Sequence, residues 1–217
     1  MKVETLPAPE FHAREALRYA ACPADQAAAL PLEDCRRLAE EAVVCRVCWE
    51  VFPVRIGEDG VRFPFGHAPS RALARSLAGC HHALVFAATI GLGMDRLIAR
   101  YERISPAHAL LLHGIGAERI ESLCDAFCRA RDAELACEGL GLRPRFSPGY
   151  GDLPLAFQRE VFQALDCRKH IGLTLEPSLL MSPSKSVTAI AGIGPRKAVR
   201  TSDKCAACSK ADCTYRR

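Results

Sequence analysis

Arg145-Phe146-Ser147-Pro148-Gly149-Tyr150-Gly151-Asp152 is the stretch that decides what this chain folds into. Proline fixes the local backbone, and the glycines beside it let another group touch bare main chain. An arginine fork suits a carboxylate or a phosphate, and Tyr150 adds a flat ring with a polar tip. On residue types alone, a proline-glycine turn carrying a surface arginine is the alternative. Asp152 stands where a helix cap would, ahead of a helix expected from Pro154 to Leu165.

Upstream of this segment, Leu142 to Tyr150 reads as extended chain. Ser105-Pro106 opens the longest helix, running to about Glu138, with Ile115, Ile120, Leu123, Phe127 and Ala130 on one face. Glu121, Asp125, Arg129 and Asp132 are expected to face water. Gly114 and Gly116 weaken the helix interior, which implies the close approach of something to it. Farther back, Ala83 to Thr89 is an apolar strand, followed by Gly91-Leu92-Gly93 and a helix to about Arg103. A short helix is capped by Ser70 and stopped near Gly79.

Trp49 to Ile56 and Val61 to Phe65 predict a hairpin closed by Gly57-Glu58-Asp59-Gly60. A helix is expected from about Leu32, with Leu38, Ala42 and Cys45 in its apolar spacing. Downstream, Gly172 to Glu176 and Ser186 to Ile193 read as strands. Strands that do not alternate regularly with helices predict an α+β class: a mostly antiparallel twisted sheet flanked by helices. The division expected is an N-terminal extension over 1–30, the α+β domain over 31–200 and a cysteine-rich tail over 201–217.

The 217 residues are 49% hydrophobic, enough to bury a sizeable core. Their 29 basic and 25 acidic side chains are interspersed, a pattern for a solvated surface and not for a nucleic-acid stripe. The run Ala83 to Leu92 is about half of the ~20 residues needed to span a bilayer, so no membrane anchor is expected. No apolar secretory segment follows the N-terminus. The twelve cysteines therefore read as reduced thiols, core packing or metal ligands in a cytoplasmic protein.

A second block follows the first in order: Ile171-Gly172-Leu173-Thr174-Leu175-Glu176, Ser178, Met181, Pro183 and Ser186-Val187. Together, over roughly Arg145 to Gly192, these blocks resemble the C-terminal reactivation domain of cobalamin-dependent methionine synthase. The resemblance implies an activation-domain-like fold and binding of S-adenosylmethionine. In that family the domain presents the ligand's methyl group to cobalt after the inactive cob(II)alamin state is reduced. It implies that Arg145 holds the methionine carboxylate, that the backbone of Ser147 and Gly149 contacts the ligand, and that Tyr150 lies near the corrin. Glu118 or Glu121 would approach the sulfonium or amine. This chain departs from the family after the Ser-Val strand, where Thr188-Ala189-Ile190-Ala191-Gly192 replaces an aromatic pair. Nothing before Trp49 aligns with the family's N-terminal aspartate.

Cys205, Cys208 and Cys213 lie within nine residues among lysines and arginines. A two-residue gap lets two thiolates reach one metal, so this tail is a candidate zinc or iron-sulfur site. Its fourth ligand could come from Cys45 or Cys48, Cys167, a histidine such as His67 or an exogenous group. Cys45 and Cys48 are read at helical spacing, Cys124 and Cys128 as buried on the long helix, and His81-His82 as structural.

The expected function is that of an accessory protein in reductive reactivation of a corrinoid methyltransferase, at most a subunit of a methionine synthase system. It would dock on the corrinoid domain, with an electron donor as a further partner, and meet cobalamin only through that partner. The alternatives are a small iron-sulfur or zinc electron-transfer protein with a borrowed fold, and a module that holds a small carboxylate. No glycine-rich nucleotide fingerprint is present, since Gly91-Leu92-Gly93 lacks the third glycine.

Overall fold

The computed structural model describes residues 1–22 and 30–196. Its elements run β1 (Lys2–Leu6), α1 (Ala13–Tyr19), α2 (Leu32–Ala42), β2 (Cys45–Pro53), β3 (Arg55–Gly57), β4 (Gly60–Phe63), β5 (Gly66–Ala68) and α3 (Arg71–Ser76). They continue with β6 (His82–Thr89), α4 (Leu92–Glu102), α5 (Pro106–Ala136), β7 (Leu140–Leu142), α6 (Gln158–Leu165), α7 (Cys167–Ile171), β8 (Thr174–Leu175), β9 (Met181–Ser182) and β10 (Ser186–Pro195). This is the expected α+β class, built on a five-stranded antiparallel sheet ordered β1-β2-β6-β10-β7.

The central strand β6 is buried from Ala83 through Thr89, because helices cover both sides of the sheet. Leu84, Phe86 and Ala88 point to one side, where α5 supplies Ile115, Leu123 and Phe127 and β2 supplies Trp49. The Phe127 ring lies 5.0 Å from that of Phe86 and 6.0 Å from that of Trp49. Ala83, Val85 and Ala87 point to the other side, against Leu73 of α3, Val161 and Leu165 of α6 and Ile171 of α7.

Several local expectations are corrected. Cys45 belongs to β2, and α2 ends at Ala42. A three-residue step along a strand reverses direction, so Cys45 joins the α5-side core and Cys48 the opposite one. The two cannot share one metal. Their apolar spacing fits a helix, but β-branched Val43 and Val44 break the helix before them. Asp152 does not cap the helix that follows it. Its carboxylate accepts from Arg71 N–H (2.9 Å), Ala72 N–H (3.1 Å) and the Ser70 hydroxyl, so it caps α3 from 80 residues away. Those donors hold its carboxyl below the ordinary aspartate value. A 3-10 turn, Leu155–Phe157, leads into α6 instead.

Residues 1–22 supply an edge strand and a helix. β1 pairs with β2, and Trp49 Nε1–H donates to Glu4 at 2.8 Å. Helix α1 packs on α5 at Gly114, where a β-carbon would overlap the Ala16 carbonyl. This is the close approach that a glycine inside the helix implied. The cysteines 205, 208 and 213 lie outside the described residues.

Candidate functional site

Strand β10 is covered unevenly along the edge it turns away from β6. β7 pairs only with Ile193 to Pro195. Arg143 N–H then donates to Gly192 O at 2.7 Å, and Phe146 and Ile190 exchange both backbone hydrogen bonds at 2.8 and 2.9 Å. Beyond Ile190 no described strand pairs with this edge. The segment from Arg143 to Gly151 leaves the strand there and arches over it, closing a groove of about 1320 Å³. Gly149 turns the arch at φ +89°, a conformation glycine adopts freely, and donates to Leu153 O at 2.9 Å.

The arch brings Arg145, Ser147 and Tyr150 to the groove, with Gly149 in the turn between them. Tyr150 is 69% exposed at the mouth. Arg145 is half-buried, and its Nη2 donates to Asp125 at 2.6 Å and to Glu121 at 3.1 Å. Burial works against its charge, but the carboxylates of Glu121 and Asp125 offset it and keep the guanidinium pKa above its ordinary value. Beside it, burial pushes the Cys128 thiol up to about 11, so this groove cysteine stays protonated.

Glu121 and Asp125 therefore do not simply face water. One helical turn apart on α5, they lie on the flank that meets the arginine. Glu118 lies elsewhere: it is 1% exposed and bound to Arg119 Nε (2.5 Å), the Ser122 hydroxyl (2.7 Å) and His12 N–H (3.2 Å). It lines a second, smaller cavity of about 460 Å³ between α5 and the N-terminal segment, a cavity Glu121 and Asp125 also reach. Arg119 ties that segment down through Pro9 O and Glu10 O, both at 2.6 Å. Burial alone would raise the Glu118 carboxyl, but the bonds from Arg119 and Ser122 outweigh it and hold the pKa below the ordinary 4.5.

Among the described residues, no group of three or more His, Cys, Asp or Glu side chains is arranged to hold a metal ion. His67 faces Asp59 (3.5 Å). Cys48 and Cys167 adjoin each other inside the core, and that proximity together with burial pushes the Cys167 thiol strongly up. No described helix is long and apolar enough to cross a membrane.

A solved structure with the same arrangement of elements is the crystal structure of the MetH reactivation domain bound to AdoHcy, with a TM-score of 0.63 over 92% of this chain and 80% of that one. The chain has the fold of the MetH reactivation domain. Sequence identity between the two is 17%. No family model matches the chain, and no curated protein matches it. The fold expected from the Arg145 to Gly192 blocks is thus the one found.

Sequence reading passed over several groove residues: Asp125, Cys128, Phe146, Gln158 and Thr188. For Asp125 the signal was its four-residue spacing from Glu121. For Gln158 it was a polar residue in the buried stripe of α6 that Val161 and Leu165 continue.

Proposed function

We propose that this chain is an accessory protein that binds an S-adenosylmethionine-type ligand in the β10 groove and docks on the corrinoid domain of a cobalamin-dependent methyltransferase to assist its reductive reactivation. The observation that carries the proposal is the groove itself, in whose lining Arg145 meets Glu121 and Asp125, with an exposed tyrosine at its mouth. Arg145 spends only Nη2 on Glu121 and Asp125, so its other N–H groups are free of side-chain bonds among the described residues. They suit a carboxylate, while Glu121 and Asp125 suit an ammonium or sulfonium. A zwitterionic amino-acid tail thus meets a complementary pair of charges, and the groove is large enough for an attached nucleoside. The fold is shared with a domain whose structure holds AdoHcy. When bound, S-adenosylmethionine supplies an electrophilic methyl group. The chain's own part is to hold the tail, shield the groove and present the Tyr150 face to the partner.

Mixing the protein with a corrinoid domain in the cob(II)alamin state tests this. The prediction is a complex and a change in the cobalamin absorption spectrum that depends on Tyr150. Neither a complex nor a spectral change would contradict it. Zinc or iron bound by Cys205, Cys208 and Cys213 is a separate proposal, tested by metal analysis of anaerobically purified protein.

A further inference from the structure

The two edges of the five-stranded sheet end differently. At β7 the edge is short, and its outward N–H at Leu142 donates to the Asp132 carboxylate of α5 at 2.8 Å. At the opposite end β1 pairs with β2 from Lys2 to Leu6 without a bulge, and no described strand covers its other side. Val54 N–H donates to His81 O at 2.9 Å, so the even residues of β2 bond toward β6. The odd ones, Cys45, Val47 and Trp49, then bond to Leu6, Glu4 and Lys2. Val3 and Thr5 therefore turn their N–H and C=O groups outward, where no described residue bonds them.

The side chains make this edge self-complementary. Lys2, Glu4 and Leu6 lie on the α5 side of the sheet, opposite Trp49, Val47 and Cys45. The Lys2 ammonium stands 4.6 Å from the centre of the Trp49 ring, and Glu4 accepts from Trp49 Nε1 at 2.8 Å and from Arg131 Nη1 at 3.3 Å. Both charges are thus held over β2, clear of the outward main chain. Val3 and Thr5 point to the other side, and Val3 is 46% exposed. Native sheets blunt a free edge with proline, a bulge, a covering loop or charges that repel a copy of themselves. From Lys2 to Leu6 there is neither proline nor bulge, and the two charges are of opposite sign, two residues apart.

We infer that β1 is the surface through which two copies of this chain associate, edge to edge and antiparallel, about a two-fold axis at Val3. With the axis there, Val3 exchanges both backbone hydrogen bonds with Val3 of the second copy, and Thr5 N–H reaches the Met1 carbonyl of that copy. Lys2 of each copy then faces Glu4 of the other. An axis at Glu4 would set two carboxylates opposite each other, and one at Thr5 would set Glu4 against Leu6, so charge selects the axis at Val3. A strand of five residues buries less than the roughly 800 Å² per partner of a standard interface, so association in the micromolar range is expected. The β10 groove lies toward the opposite end of the sheet, and both copies keep it open.

Sedimentation of the full chain from about 1 to 500 μM tests this, in reducing buffer so that no dimer is linked by disulfides. Wild type is expected to pass from monomer to dimer over that range. Val3→Pro removes an outward N–H and leaves the pairing with β2 in place, and is expected to weaken the dimer at least tenfold. Val3→Lys, which sets like charges at the axis, is expected to do the same, and it carries the test if Val3→Pro alters the melting curve. Lys2→Glu is expected to weaken the dimer by about threefold or more, because it sets a carboxylate opposite Glu4 of the other copy. No effect of Lys2→Glu would overturn the axis at Val3. A wild type that stays monomeric at every concentration, or a dimer that Val3→Lys leaves intact, would overturn the edge-to-edge contact itself.

Discussion

Arg119 and Arg145 project from different elements toward acidic groups of the same helix, and they differ in what they have left to give. Arg119 is 4% exposed, and all three of its nitrogens donate, to Glu118 and to the carbonyls of Pro9 and Glu10. It clamps the N-terminal segment onto α5. Arg145 lies in an open groove and touches both of its carboxylates through a single nitrogen. Charge pairing alone does not mark a binding site; an arginine is available to a ligand when its fork is incompletely used and its carboxylates can be reached by a second cation.

The largest effect expected from this contrast is on stability. Arg119→Met leaves Glu118 buried without its partner, and should cost about 3–5 kcal/mol in chemical denaturation. A cost near that of a surface pair would remove the clamp from the account. The next concerns acid. The Glu118 pKa lies below its unfolded value near 4.5, so its contribution is fully present above about pH 4.5 and is lost as the pH falls through the lower, folded value. Glu118→Gln should lower stability at neutral pH and flatten the acid limb of the stability profile. An unchanged acid limb would assign that limb to other carboxylates.

The smallest effect on stability belongs to Arg145. Its pairs are partly solvated, so Arg145→Ala should change stability by about 1 kcal/mol or less. A loss as large as that for Arg119 would make both arginines structural and erase the distinction.

Much of this was legible in the chain. The blocks around Arg145 and Ser186 pointed to the fold, and the turn at Gly57 to Gly60 and the long α5 followed from turn chemistry and period. The hairpin arm expected from Trp49 is split: Trp49 to Pro53 belongs to β2 in the large sheet, and only Arg55–Gly57 pairs across the turn. What escaped was set by tertiary contact. Lys2–Leu6 is too short and too exposed to alternate visibly, and becomes a strand because β2 offers an edge. Cys45 fits a helical stripe and lies in a strand. Asp152 caps a helix it precedes in no local sense, because the arch carries it back to Ser70. Arg145 was identified as a site residue from its own loop, but its carboxylate partners stand 20 and 24 positions away, and only the fold shows that they converge.

The most direct test is titration of S-adenosylmethionine into wild type and Arg145→Ala, with both confirmed as folded. Saturable binding to wild type, weakened at least tenfold by the substitution, is the predicted result. Equal binding by the two proteins, or none by wild type, would contradict the claim that this arginine is held ready for a ligand.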